Sequence, residues 1–353
     1  MQAADYTNEA GSSEQPSSRP AKERHLGLDF GRLTAAFFVV AIHAGPGTEA
    51  PGFSGELLNQ AARFAVPFFF CVSGWLFARS YRHAATWHTL WRYEWRILSL
   101  FLFWSAVYFL NPSIAAIQEF GWFESYRERW HFLTASPVQL MLNGTALHLW
   151  YLVSLAMGLF LVWLVNRRTA IPGVLLGSLL YLIALAAGPY HGSVLSIDLG
   201  LNPRDGPFFS TIFVALGFLT GWIGFKPGRR MAWLCFAAGA IVHGLEITRF
   251  YLLFHASPFG YNFVIGTLFF GYGAFLLAIS WEPSGLLDGL ARLGPLATGI
   301  YCVHVLFVKK MDFFDVFFPS EWWGFARTIL VFVVALLASM FAAKLPPFKR
   351  FVT

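Results

Sequence analysis

Charge is what this sequence has least of. Only 12% of its 353 residues are Asp, Glu, Lys or Arg, about half of the ~25% usual in a soluble domain. With 57% of residues hydrophobic, 18% aromatic and a mean hydropathy of +0.56, that scarcity excludes an ordinary soluble enzyme and places the chain in a bilayer. Cysteine is scarce too. Cys71, Cys235 and Cys302 all lie in apolar runs, which excludes a disulfide framework and leaves them as packing residues. The GxxxxGKS/T phosphate loop, the HExxH zinc motif, the GxSxG nucleophile turn and paired CxxC are absent, and no metal site is expected. The formal charge of +6 is spread over membrane-flanking loops, so no nucleic-acid partner is expected. Asn143-Gly144-Thr145 matches a glycosylation sequon, read as chance in a chain of bacterial character.

Residues 1–25 are rich in Ser, Pro, Glu and Ala and read as a disordered cytoplasmic tail. They hold no short apolar core before a small-residue cleavage site, so the first membrane helix is expected to direct insertion itself. Residues 26–353 read as one all-α, polytopic transmembrane domain. A spanning helix needs ~20 mostly apolar residues. Ten segments approach that length: 28–47, 62–80, 94–111, 147–165, 170–188, 207–225, 231–251, 261–281, 292–310 and 325–345. Pro67 predicts a kink in the second, and Gly217 with Gly221 predicts close helix approach through the sixth.

Flanking cations orient the bundle. With the amino terminus in the cytoplasm, seventeen Lys and Arg fall on the inner side and eight on the outer side. That bias satisfies the positive-inside rule and puts both termini in the cytoplasm. Segment 112–146 is then external. Its Glu119, Glu124, Arg127, Glu128 and Arg129, mixed with Trp122 and Trp130, predict interfacial structure over the bundle mouth.

Ionisable residues in lipid-spanning helices are costly and usually face a protein interior or a water-filled cavity. Arg32 and His43 are eleven residues apart in the first span, which is about three turns and ~16 Å of rise, so they share a face. Helix rise puts His43, Glu246 and His304 at similar depth in the outer half, while Arg63 and His148 open inward-running spans from that side. Arg32, Arg92 and Arg96 collect at the inner surface. Each has a structural reading as well. Arg92 and Arg96 can snorkel to head groups, His148 can belong to an interfacial aromatic belt beside Trp150, and Glu246 can pair with Arg249. The shared depth favours a site reached from both sides of a membrane.

Arg32, followed after ten residues by His43, resembles the R-x10-H signature of the integral-membrane acyltransferase-3 family. Leu28-Asp29-Phe30-Gly31-Arg32 fits that family's first-helix opening. Val66-Pro67-Phe68-Phe69-Phe70-Cys71-Val72-Ser73-Gly74 is similar to its "VPxFFxxSG" second helix, with the upstream Arg63 of the bacterial O-acetyltransferase branch. Arg92 and Arg96-Ile97-Leu98 look like its basic entry to the third helix. His148-Leu149-Trp150-Tyr151-Leu152 is similar to its "HLWYL" element, and Gly299-Ile300-Tyr301-Cys302-Val303-His304 to its late "IYxxH" helix. Two departures stand out: Gly31 replaces a larger apolar residue, and no extracellular hydrolase-like domain is fused at the end.

The resemblance implies transfer of an acyl group, usually acetyl from acetyl-CoA, to a sugar hydroxyl of an exopolysaccharide or its lipid-linked repeat unit, at a bacterial inner membrane. Arg32, Ser73, Arg92 and Arg96 are then expected at the donor, whose phosphates suit guanidinium groups. His43 is expected to take the hydroxyl proton, with Glu246 or a nearby carbonyl setting its tautomer. His304, Tyr301 or Arg63 would stabilise the oxyanion or orient the acceptor, beside His148 and Trp150. Two other classes remain open: a transporter or glycan flippase, which would favour internal repeats, and a non-catalytic scaffold for polysaccharide export.

Overall fold

The computed structural model describes residues 24–46, 52–82, 86–112, 114–191, 197–255, 257–315, 317–318 and 320–353. The expected tail lies outside these residues except for Arg24 and His25, which are tied into the bundle. Arg24 Nε lies 2.6 Å from Asp29 Oδ2, and its Nη2 donates to the Arg292 carbonyl at 2.9 Å. The His25 ring meets Trp75 edge-on.

Among the described residues all regular structure is helical. The helices are α1 Leu26–Ala44, α2 Phe53–Ala61, α3 Ala65–Tyr81, α4 Trp87–Phe109, α5 Ile114–Ala135, α6 Pro137–Asn143, α7 Trp150–Val165, α8 Ile171–Ala187, α9 Pro207–Ile223, α10 Arg229–Phe254, α11 Ile265–Ser280, α12 Leu286–Ala291, α13 Ala297–Asp315, α14 Glu321–Lys344 and α15 Pro346–Lys349. Lipid offers backbone groups no partner, so apolar segments close their hydrogen bonds internally as helices. The ten expected spans coincide with α1, α3, α4, α7 to α11, α13 and α14. Among the described residues six helical segments are long and apolar enough to cross a membrane, and α8, α9 and α11 are apolar but shorter.

Glycine sets the closest approach in the bundle. A Cβ on Gly217 of α9 would collide with the Cys71 carbonyl of α3, and one on Gly74 of α3 would collide with the Val214 carbonyl of α9. The spacing of Gly217 and Gly221 thus marks a backbone-to-backbone contact between α3 and α9. Pro67 sits in the first turn of α3, and a 3-10 turn, Ala62–Phe64, just before it joins α2 to α3 in one helical run from Phe53 to Tyr81. That turn carries Arg63.

Segment 112–146 forms α5, broken at Gly121 (φ 76°), and α6. Arg129 Nη1 donates to the Tyr108 and Phe109 carbonyls at 2.6 and 3.1 Å, satisfying the carboxyl end of α4. Trp122 and Trp130 are exposed, as an interfacial element requires.

The cation-rich loops meet at one end of the bundle. There Arg79 reaches His25, the Tyr81 hydroxyl donates to the Asn166 carbonyl, and Arg96 donates to the Thr353 carbonyl. At the other end Arg63 bonds Asn262, and Arg327 Nε donates to the Ala44 carbonyl at 3.0 Å.

Candidate functional site

At the Ala44 end of α1 a cavity of about 240 Å³ opens between α1, the Ala62–Phe64 turn, the start of α7 and the loops before α9 and α11. His43, Asn59, Arg63, His148, Arg204 and Asn262 supply its polar lining. A second 3-10 turn, Leu147–Leu149, carries His148 into this layer. The Tyr301 hydroxyl of α13 donates to the His148 carbonyl and holds that turn in place.

Three imidazoles cluster here. Ring centroids are 5.2 Å apart for His43 and His304, 5.3 Å for His148 and His304, and 6.4 Å for His43 and His148. His304 is fully buried. Its Nδ1 lies 2.6 Å from the Tyr301 carbonyl and 3.2 Å from the Ile300 carbonyl. A carbonyl only accepts, so Nδ1 carries the hydrogen and a neutral ring presents its lone pair at Nε2. That Nε2 has no hydrogen-bond partner among the described residues.

Two guanidinium groups converge beside the imidazoles. Arg63 Nη1 and Arg204 Nη1 donate to Asn262 Oδ1 at 3.1 and 3.4 Å. Arg204 also pairs with Asp205 at 2.8 Å and lies over the Trp150 ring at 4.6 Å. Asp205 offsets one of the two positive charges, which leaves the layer net cationic with Arg63 Nε unpartnered among the described residues. Such a layer favours a developing negative charge.

Toward the other end lies a second cavity of about 160 Å³, lined by Arg32, Ser73, Tyr93 and Arg96 among apolar side chains. The two cavities share Val39, Val66, Tyr151 and Tyr301 as walls and so abut within the bundle. Val39 lies between Arg32 and His43 on one face of α1. Arg32 Nη1 is 3.5 Å from Asp29 Oδ1, and the other oxygen of that carboxylate meets Arg24. One acid between two arginines keeps this end cationic as well. Arg96 Nη2 donates to the Thr353 carbonyl, which holds it at the cavity edge.

The structure therefore brings His43, Arg63, His148, Trp150 and Tyr301 into one chamber with His304 behind it, and Arg32, Ser73 and Arg96 into the adjoining cavity. Two expected residues are not brought in. Arg92 is exposed on α4 and lines neither cavity. Glu246 is engaged elsewhere. Its carboxylate accepts from Gly266 N at 2.5 Å, Ile265 N at 3.2 Å and the Tyr190 hydroxyl, satisfying the exposed amides at the start of α11. It does not set the tautomer of His43, because α10 lies at the rim of the bundle.

Sequence reasoning missed Arg204, Asn262, Asn59 and Tyr151. Tyr151 stood in plain view beside Trp150. Arg204 sits in Asn202-Pro203-Arg204-Asp205-Gly206-Pro207, a turn cluster that signals a loop and nothing more. Asn59 is 5% exposed with an unpartnered Oδ1, a state that no sequence pattern marks. Among the described residues no group of three His, Cys, Asp or Glu is placed to hold a metal ion.

The model of the acyltransferase-3 family, described as an acyltransferase domain, matches residues 25–344. Two relatives from Enterococcus faecalis, each named an amino-acid racemase, are also similar. One is 25% identical over 352 residues, 92% of this chain and 46% of that protein. The other is 28% identical over 221 residues, 59% of this chain and 29% of that protein. The chain thus spans less than half the length of the curated relatives it matches. No solved structure matches.

Proposed function

We propose that this chain, which belongs to the acyltransferase-3 family, transfers an acetyl group from acetyl-CoA to a sugar hydroxyl of an exopolysaccharide or its lipid-linked repeat unit. One observation supports this above the others: two abutting cavities, cationic at one end and imidazole-lined at the other, run along a single face of α1. A donor with a phosphate-rich head and a long thin arm matches that profile. Arg32 and Arg96 take the phosphates, Ser73 and Tyr151 flank the arm, and the thioester arrives beside His43.

His43 removes the proton from the acceptor hydroxyl as its oxygen attacks the thioester carbonyl. The oxyanion that develops meets the N–H groups of Arg63 and Arg204. The C–S bond then breaks, and the imidazolium of His43 returns its proton to the departing thiolate. His304 is a positioning residue in this scheme. When substrate binds, the His304 Nε2, which has no partner among the described residues, takes up the N–H of His43 and so points the other imidazole nitrogen into the chamber. His148 and Trp150 shape the acceptor side.

The cation bias of the loops, together with the contacts that gather those loops at one end, supports a bacterial inner-membrane protein with both termini in the cytoplasm. The test is a transfer assay with purified protein, acetyl-labelled acetyl-CoA and a membrane-derived glycan acceptor. Label should appear in the glycan with the parent chain and not with His43→Ala. Movement of glycan across vesicles with no label incorporated would assign the chain to transport instead.

A further inference from the structure

A third cavity, of about 730 Å³, lies apart from the two described above. Its walls are α1 and α10, its floor is α11, Phe64 closes one end against Phe38 and Phe270, and the Phe68 ring lies against Gly31. Apart from Thr34 its lining is apolar along its length, and a charged side chain stands only at the opposite end, where the exposed Arg229 lies beside Trp233 and Trp281. Lys226 and Arg230 flank Arg229 in the chain. None of the residues that line the acyl-transfer cavities lines this one.

Its length carries information. On α1 the lining runs from Gly27 to Phe38, on α10 from Arg229 to Ala240, and on α11 from Phe270 to Trp281, the residue that caps it. The ends of each run are eleven residues apart, or ~16 Å of rise, and half of a ~30 Å hydrocarbon core is ~15 Å. The groove is therefore one leaflet deep. A peptide helix would need a wider trough, and a small soluble ligand would leave most of an apolar groove unfilled. The cations and indoles lie only at the end that coincides with a membrane surface, where Trp prefers the head-group layer and Arg meets phosphate.

We propose that this groove is a binding site for one anionic phospholipid of the leaflet at the Arg229 end. One acyl chain lies along α11 between Phe30 and Phe236, and the head-group phosphate pairs with Arg229. Binding needs neither acyl donor nor acceptor, so it stands or falls separately from the transferase reading.

The experiment is native mass spectrometry of the delipidated full chain, titrated with phosphatidylglycerol or with phosphatidylcholine of the same acyl chains. One phosphatidylglycerol should be retained at least ten times more tightly than phosphatidylcholine. Arg229→Glu, on an exposed side chain, should erase that preference. Ala240→Trp, which fills the groove at the chain rather than the head group, should weaken both lipids by a similar factor and leave acetyl-CoA binding unchanged. Equal retention of the two lipids by the parent chain would overturn the proposal. So would unaltered phosphatidylglycerol retention in both variants.

Discussion

His304 stands behind His43 with the two ring centroids 5.2 Å apart, and the carbonyls of Ile300 and Tyr301 commit its Nδ1 to donation. That leaves its Nε2 lone pair unpartnered among the described residues; offered to His43, it would take the role a carboxylate plays in many catalytic pairs. The backbone of α13 itself sets this tautomer, since the donor and both acceptors lie within one helical turn.

Removal of the base should be the most costly single change. His43→Ala is predicted to lower kcat by roughly 10²–10⁴ while the chain still inserts, elutes as the parent does and keeps its helical circular dichroism. A folded His43→Ala protein with parental kcat would remove His43 from the chemistry.

The positioning role of His304 makes a graded prediction. His304→Ala should lower kcat less than His43→Ala does, and His304→Gln, which keeps an acceptor oxygen near Nε2, should recover part of the loss. The double variant should be no worse than His43→Ala alone, because residues that act as a unit are not additive. Additive losses would mean that the two imidazoles act independently.

At the donor end, Arg32→Ala and Arg96→Ala should raise the KM for acetyl-CoA with kcat little changed, as loss of ground-state binding does. Arg92→Ala should leave both constants alone, since that side chain lines neither cavity. Steady-state kinetics with varied donor decides this. A KM effect confined to the acceptor would reverse the assignment of the two cavities.

Arg63→Ala should lower kcat by roughly 10²–10³, the usual loss when one oxyanion donor is removed. Arg63→Lys should recover little of it, because an ammonium cannot span Asn262 and the reacting oxygen as a planar fork does. Stopped-assay rates at saturating donor and acceptor measure this directly.

Glu246→Gln should leave kcat at the parental value and lower stability by about 0.3–1 kcal/mol, the cost of removing a negative charge from the exposed amides at the start of a helix. Thermal unfolding in detergent gives the stability change and the transfer assay gives kcat. A catalytic loss without a stability loss would return Glu246 to the active site.

The sequence by itself determined the number and order of the apolar helices, because a bilayer admits no unpaired backbone and a helix of given length is the cheapest remedy. It also determined that Arg32 and His43 share a face of α1, since both belong to one rigid helix whose pitch is known. The close approach of α3 to α9 was legible at Gly217 for the same local reason. Depth along a helix is linear in residue number, which is why His43, His148 and His304 were correctly grouped by level.

Only tertiary structure decided direction around the bundle. Helix rise alone assigns Glu246 to that level too, yet α10 is largely exposed and turns its carboxylate to the start of α11. Arg204 and Asn262 come from loops, where no helical period relates residue number to position, and they reach Arg63 only because α9 and α11 happen to begin beside it. Azimuth depends on which neighbour each helix packs against, and that is a property of the whole chain.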